Sequence, residues 1–182
     1  MRFAILLLSV ALGTGGCAAT SNIATIGEWS RQQGGVVIDQ RLTHVQAIGD
    51  SLSVTLPCSV RYHVLNNPAV TAYSWPGGEI FLSAGLIDSA SDDEIAAAIA
   101  HELGHLVNDA RRPGAVGLRG ADAPLALEQH ADATGEALLV ASGRPPGALI
   151  TLLQKVCAAN PSAACRHDLG ARIQLLQNTT TR

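Results

Sequence analysis

The stretch of sequence that decides the fold is SDDEIAAAIAHELGHLVN, residues 91–108. It opens with a capping box, in which the Ser91 hydroxyl can accept from the backbone N–H of Glu94 while the Glu94 side chain reaches back. The acidic residues of the first turn also suit the positive end of the helix dipole. Apolar residues then recur at helical spacing: Ile95, Ala98, Ile99, Leu103 and Leu106. The pattern predicts a helix through about Asn108 with one buried face.

Inside this predicted helix stands His101-Glu102-Leu103-Gly104-His105, the H-E-x-x-H pattern of zinc metallopeptidases. Because residues four apart share a helix face, His101 and His105 can bind one metal ion, with Glu102 beside its open position. Six His and six Glu in 182 residues give only about 0.006 chance occurrences of the pattern. The alternative is an ordinary helix with two exposed His. Gly104 counts against it, since Gly costs roughly 1 kcal/mol in a helix interior and requires a structural reason.

A catalytic zinc site needs a third protein ligand and one position left for water. A second helix is predicted over residues 124–141, after an aperiodic loop at 109–123 that is long enough to let it fold back. On this helix Glu128 and Asp132 share a face. We expect Glu128 to be the third ligand and Asp132 to accept the distal N–H of a ligand His. His130 is a competing ligand, but two residues along a helix it points away from Glu128.

These motifs resemble those of the HtpX-like zinc metallopeptidases, which are relatives of the CAAX prenyl endopeptidases and of the mitochondrial Oma-type proteases. Residues 128–132, EQHAD, are similar to the family's E-x-x-A-D signature, and residues 91–105 to its H-E-x-x-H helix. Residues 67–87 resemble its N-A-(aromatic)-x-x-P-G-G-x-I-F…G-L segment, and residues 167–175 its T-H-P-x-x-x-x-R-I segment, with the Arg-Ile pair in place. The resemblance covers roughly residues 60–177.

The resemblance implies a zincin-like α+β domain, in which a small sheet with an active-site edge strand packs on the H-E-x-x-H helix and on the Glu-bearing helix after it. It implies one Zn²⁺ per chain. It also implies that the strand Ala72-Tyr73-Ser74-Trp75 lines the cleft and pairs with an extended substrate. His167 would stabilise the oxyanion or occupy the open metal position. Because Arg166-His167-Asp168 stands where the family has Thr-His-Pro, a surface His is the alternative.

The first residues have the composition of an export signal. One Arg is followed by about ten apolar residues, a small-residue stretch and Cys17, and the apolar run is too short to span a bilayer. Residues 1–16 are therefore interpreted as a signal peptide, with Cys17 as the lipid-carrying residue of a lipoprotein. An ordinary exported protein with an incidental Cys17 is the alternative. Residues 17–35 would form a tether or first helix, and residues 36–182 the zinc metallopeptidase domain, located in the periplasm or on the outer membrane.

Three more cysteines follow in the exported chain. Cys157 and Cys165 lie eight residues apart around Asn160-Pro161, so in an oxidising compartment they could close a small disulfide. Cys58 would then be a buried apolar residue. No pair has the spacing of zinc ligands.

Short β-like segments precede the central helix, and helical ones follow it. Strands are predicted at Val36–Ile38, Ser51–Leu56, Val60–Leu65, Ala72–Trp75 and Glu79–Ser83, the last two joined by a tight turn at Pro76-Gly77-Gly78. Further helices are predicted near Gly147–Ala158 and Leu169–Gln177. This order predicts a single α+β domain.

The charge pattern excludes some partners. The net charge is −3, and the basic residues, eleven of them Arg, are scattered rather than clustered, which argues against nucleic-acid binding. Aromatic residues make up 3%, too few for a stacking platform. We therefore expect a zinc endopeptidase that acts on extended, unfolded or misassembled envelope polypeptides and contacts the membrane only through a lipid anchor. The competing hypotheses are a zinc-containing lipoprotein that binds clients without cutting them and a zinc hydrolase with other substrates.

Overall fold

The computed structural model describes residues 23–53, 59–75, 77–110, 124–159 and 163–180. At the helix ends 23–24, 109–110, 163–166 and 179–180 it describes the backbone alone. The elements run in the order α1 (Ile23–Gln32), β1 (Val36–Val37), α2 (Gln40–Ser53), β2 (Arg61–Leu65), β3 (Ala72–Trp75), β4 (Glu79–Ser83), α3 (Ala84–Ser89), α4 (Asp92–Ala110), α5 (Leu125–Ala141), α6 (Ala148–Ala159) and α7 (Ala163–Thr180). This is an α+β fold with a small mixed sheet, as the sequence predicts.

The four strands form one sheet in the order β1-β2-β4-β3. β1 and β2 are antiparallel, β2 and β4 are parallel, and β3 and β4 are antiparallel, with Ala72 opposite Leu82 and Trp75 opposite Glu79. The predicted tight turn joins β3 to β4 and has positive φ at Gly77 and Gly78, which glycine adopts without strain. β3 is thus an edge strand.

The core lies between the inner face of the sheet and the helices. Alternate residues of β2 and β4 point to this face, and α4 packs there together with α2 and α6. Its central side chains are fully buried: Val64, Ile80, Leu82, Ile95, Ile99 and Leu103. Because α4 is covered by the sheet on one side and by α5 and α6 on others, the predicted motif helix is the centre of the fold.

The predicted strand over Ser51–Leu56 is wrong where the structure describes it, since residues 51–53 end the helix α2. Four buried residues of α2 follow helical spacing: Val45, Ile48, Gly49 and Leu52. A short segment of alternating apolar and polar residues is compatible with either a strand or a helix, and here packing against α4 favours the helix. The short helix α3 was also not predicted; it begins directly after the strand, where the Ser83 side chain caps it by accepting from the Leu86 N–H.

The remaining helices follow the predictions closely. α5 begins after Pro124, α6 matches the predicted segment, and α7 begins six residues earlier than predicted. The predicted signal peptide, Cys17, Cys58 and all but the first two residues of the 109–123 loop lie outside the described residues. Within the described part of the chain, every helix is too short or too polar to span a bilayer.

Candidate metal centre

The helix α4 presents two imidazoles one turn apart. Its capping box is formed, because Ser91 Oγ accepts from the Glu94 backbone N–H at 3.3 Å and the Ser91 N–H donates to Glu94 Oε2 at 2.8 Å. Three turns later the rings of His101 and His105 lie 4.7 Å apart, nearly perpendicular to each other. Both are largely buried, with side chains 12% and 5% exposed. The helix therefore delivers two adjacent nitrogen ligands into the protein interior.

Two glycines allow α5 to approach this helix closely. A Cβ on Gly104 would lie 2.4 Å from the carbonyl oxygen of Ala131, a distance that real Cβ atoms do not tolerate. On the other side, a Cβ on Gly135 would lie 3.1 Å from the Ala100 carbonyl group. The helix-interior Gly104 thus has the structural reason that the sequence demanded: it lets the backbones of α4 and α5 touch at the level of the two His.

The close approach brings Glu128 of α5 to both imidazoles. Glu128 Oε2 lies 3.3 Å from His101 Nε2, and Oε1 lies 3.2 Å from His105 Nε2. One ligand atom from each of the three residues lies within 4.8 Å of the others. A tetrahedral Zn²⁺ with bonds of about 2.0–2.1 Å separates its ligand atoms by about 3.3 Å. The donor set and its spacing therefore fit a zinc ion with three protein ligands.

Asp132 lies one turn after Glu128 and orients the first imidazole. Its Oδ1 is 2.9 Å from His101 Nδ1, which leaves Nε2 as the nitrogen that faces Glu128 and His105. A carboxylate on the distal nitrogen fixes the tautomer of a metal-ligating His and raises its basicity. The structure therefore places Asp132 where the sequence predicted it, behind a ligand rather than in contact with the metal position.

His101 and the carboxylates of Glu128 and Asp132 shift one another's pKa values. Burial disfavours the charged imidazolium, but the hydrogen bonds to Asp132 and Glu128 outweigh it and raise the pKa of His101 to about 9. Burial also opposes ionisation of Glu128 and Asp132. Contacts with His101, with Arg172 and, for Glu128, with His105 overcome this and hold the pKa of both carboxyls below the ordinary value. The site thus keeps two carboxylates ionised in the protein interior.

One carboxylate oxygen of Glu102 has no hydrogen-bond partner among the described residues. The residue is 6% exposed, and its Oε2 is buried without a hydrogen bond among the described residues. A buried polar atom without a partner costs about 1–3 kcal/mol, so such atoms in proteins commonly have a functional explanation. This unpartnered oxygen belongs to the residue that directly follows the candidate ligand His101 in α4.

Arg172 of α7 completes the cluster, and no role for this residue was predicted from the sequence. Its Nε and Nη2 each donate at 2.7 Å to an oxygen of Asp132, and its Nη1 donates at 2.8 Å to Glu128 Oε2. The guanidinium is almost fully buried. The only sequence signal was the Arg-Ile pair in the segment at 167–175. Arg172 therefore ties the third ligand to the carboxylate that orients the first.

Replacing Arg172 with Met should leave two buried carboxylates without their cation. We expect the metal-free protein to lose about 3–5 kcal/mol of stability, and the zinc-loaded protein to lose less, because zinc supplies positive charge to Glu128. Thermal unfolding without and with zinc measures these two losses of stability. The matched control is Arg144→Met, which removes a guanidinium paired with the half-exposed Asp93 and should cost at most about 1 kcal/mol. Equal losses from Arg172→Met in the two metal states would contradict this role.

Other predicted site residues lie elsewhere or outside the described part. The His167 side chain is 81% exposed and contacts Asp168, and His130 is exposed as well. Neither belongs to the described cluster of possible metal ligands. Cys157 of α6 is a free cysteine, and the side chain of its predicted partner Cys165 lies outside the described side chains. That pairing stays a prediction, as does the lipidation of Cys17.

The predicted substrate strand, Ala72–Trp75, is the edge strand β3. It packs against α4 on its inner face, where Ser74 is buried. Among the described residues, β3 pairs only with β4, so the opposite edge keeps its backbone hydrogen-bonding groups free. An open strand edge therefore runs beside the helix that carries both imidazoles.

Comparison with known proteins agrees with this geometry. Residues 39–118 match the family model described as Peptidase family M48. The matched segment contains α2, the sheet from β2 onward and both His of α4. It stops before Glu128, Asp132 and Arg172, whose placement rests on the structure alone. No curated protein matches the chain. The family match confirms the resemblance seen in the sequence.

Proposed function

Since residues 39–118 match the model of peptidase family M48, we propose that this protein is a zinc-dependent endopeptidase with His101, His105 and Glu128 as metal ligands. The observation that carries the proposal is the meeting of these three side chains at distances that fit one tetrahedral ion. Bound zinc would supply a Lewis acid that acidifies water and polarises the scissile carbonyl group.

The chain's own residues then handle the proton and the substrate. Glu102 accepts a proton from the attacking water while the water oxygen bonds to the carbonyl carbon of the substrate. It returns that proton to the amide nitrogen as the C–N bond breaks, which yields a carboxylic acid and an amine. The unpaired Oε2 of Glu102 is available for this transfer. Asp132 and Arg172 hold His101 and Glu128 in place, so little reorganisation accompanies the reaction.

We propose that the substrate is an extended polypeptide that adds a strand to the free edge of β3. Backbone hydrogen bonds would supply most of the affinity in this mode, with little dependence on sequence. Folded domains cannot present such a strand, which favours unfolded or misassembled proteins. If residues 1–16 are a signal peptide and Cys17 carries the lipid, these substrates are envelope proteins.

A client-binding protein with a structural zinc remains the second candidate, and Glu102 disfavours it. Structural zinc sites usually have four protein ligands and a closed shell, whereas this cluster offers three among the described residues. A buried carboxylate with a free oxygen beside it stabilises nothing in a binder, but it is what hydrolysis requires.

The ligand assignment is tested by Glu128→Ala. We expect zinc content to fall from about one ion per chain to less than about 0.1 after dialysis, and cleavage of casein to disappear with it. The control is Glu136→Ala, which removes a carboxylate two turns later on the same helix and should leave zinc content unchanged. Full zinc content in Glu128→Ala would move the third ligand elsewhere. A chelator should abolish wild-type cleavage, and added zinc should restore it.

A further inference from the structure

The Trp29 side chain of helix α1 packs on the outer face of the sheet. The indole makes an edge contact with Tyr73 at 5.2 Å between ring centroids, a tilted contact with Trp75 at 5.5 Å, and an edge contact with Phe81 at 5.1 Å. These are the distances and orientations that aromatic pairs prefer. Two of the three partners lie on β3, so α1 covers the edge strand from the side opposite α4.

The alternation of side chains explains why the contacts fall on this face. Ser74 points inward and is buried, whereas Tyr73 and Trp75 point outward and are partly exposed. β3 has only four residues and pairs with one neighbour in the described structure. A strand so short, bonded on one side, depends on packing against its faces to stay ordered. Trp29 provides that packing on the outer face.

The layer that receives Trp29 is itself fixed. The fully buried Phe81 stacks on the His63 ring at 4.5 Å, and His63 Nε2 lies 2.7 Å from Glu79 Oε2. Glu79 also pairs with Arg61, and the two partners together outweigh burial and lower the pKa of Glu79. The aromatic contacts of α1 therefore rest on a row of side chains held across β2 and β4.

The carboxyl end of α1 is also tied to the sheet. Gly35 N–H donates to the Ser30 carbonyl at 2.8 Å, and the Gly35 carbonyl accepts from Asn66 N–H just after β2. At Gly34, where φ is +96°, a Cβ would lie 2.1 Å from the Asn66 carbonyl oxygen. These backbone hydrogen bonds thus fix the end of α1 beside β2, and the contacts of Trp29 fix the helix against β3 and β4.

We propose that Trp29 is a positioning residue for the substrate: it holds β3 in the extended form to which a polypeptide strand adds. This inference rests on the proposed function. It goes beyond the family match, because α1 lies outside residues 39–118. Without the indole, β3 would be less ordered before the substrate binds. The free-energy cost of ordering it during binding would then lower the affinity for the substrate. The metal cluster is held by α4 and α5, so we expect it to be unaffected.

The test measures the binding of fluorescein-labelled casein to the full-length zinc-loaded Glu102→Gln protein by fluorescence anisotropy. Because this variant should not cleave casein, the measurement reports binding alone. Adding Trp29→Ala should weaken binding about tenfold, equivalent to about 1.4 kcal/mol, with unchanged zinc content. Trp29→Phe should retain most of the affinity. The matched control is Glu28→Ala, which changes an exposed neighbour on the same helix and should have no effect. In the active enzyme, Trp29→Ala should raise KM about tenfold and leave kcat within about twofold.

A second readout locates the binding on β3. Trp29 and Trp75 are the two tryptophans of the chain, so Trp29→Phe leaves Trp75 as the single reporter, and unlabelled casein should shift its emission. If Trp29→Ala does not fold, Trp29→Leu replaces it in the same comparison.

Each outcome has a separate meaning. Unchanged casein affinity in folded Trp29→Ala, or loss of zinc from it, would overturn the positioning role and leave the peptidase proposal intact. Absence of casein binding to the Glu102→Gln protein itself would instead overturn the proposed function.

Discussion

Glu102→Gln is expected to lower the rate of casein cleavage by about 10³-fold, within the range that general acid–base catalysis contributes, while zinc content stays at about one ion per chain. The amide has nearly the shape of the carboxylate, so packing in α4 is preserved. It cannot accept the proton of the attacking water. The measurement is cleavage rate and zinc content on the same preparation.

The matched control makes the same chemical change earlier in the same helix. Glu94→Gln alters the capping box, where the carboxylate accepts from Ser91 N–H and pairs with Lys155. It should cost about 1 kcal/mol of stability and leave the rate per folded molecule unchanged. Retained cleavage in Glu102→Gln would rule out Glu102 as the group that moves the proton.

Gly104→Ala should both destabilise the protein and weaken its binding of zinc. The new Cβ would lie 2.4 Å from the Ala131 carbonyl oxygen, and this neighbour is backbone that can move only with α5. We expect a loss of about 1–3 kcal/mol of stability, the usual cost of overpacking. Because α5 carries Glu128, moving it away from α4 should also weaken zinc binding. Thermal unfolding and zinc titration measure the two effects.

Two further glycines calibrate that prediction. Gly135→Ala places its Cβ 3.1 Å from Ala100, so it should be milder in both measurements. Gly170→Ala in α7 meets nothing within 4 Å, and it should be neutral or stabilise the helix by about 0.4–1 kcal/mol. If Gly104→Ala behaves like Gly170→Ala, the close contact of α4 and α5 does not determine the metal site.

The central helix and its motif could be predicted because their signals are local. The capping box, the apolar spacing and the pair of His four residues apart all lie within residues 91–108. Glu128 was predicted as the third ligand by applying the same rule of helical spacing to the next helix, and the structure brings it to both imidazoles. Gly104 indicated only that its place in a helix interior has a structural reason, and the structure supplies that reason as the contact with α5.

The parts that could not be predicted depend on contacts between distant segments. Arg172 reaches Asp132 across 40 residues of sequence, and a single Arg on a helix gives no local sign of such a pairing. The end of α2 reads as an alternating strand and becomes a helix because Ile48 and Leu52 pack into the core. Trp29 gave no signal either, since its partners come from β3 and β4.

The most direct test of the account is the zinc content of the purified protein, measured on the same preparation as its cleavage of casein. We predict about one zinc per chain and cleavage that disappears when the zinc is removed and returns when it is restored. A well-folded protein that binds no zinc would contradict the assignment of His101, His105 and Glu128 as the metal ligands.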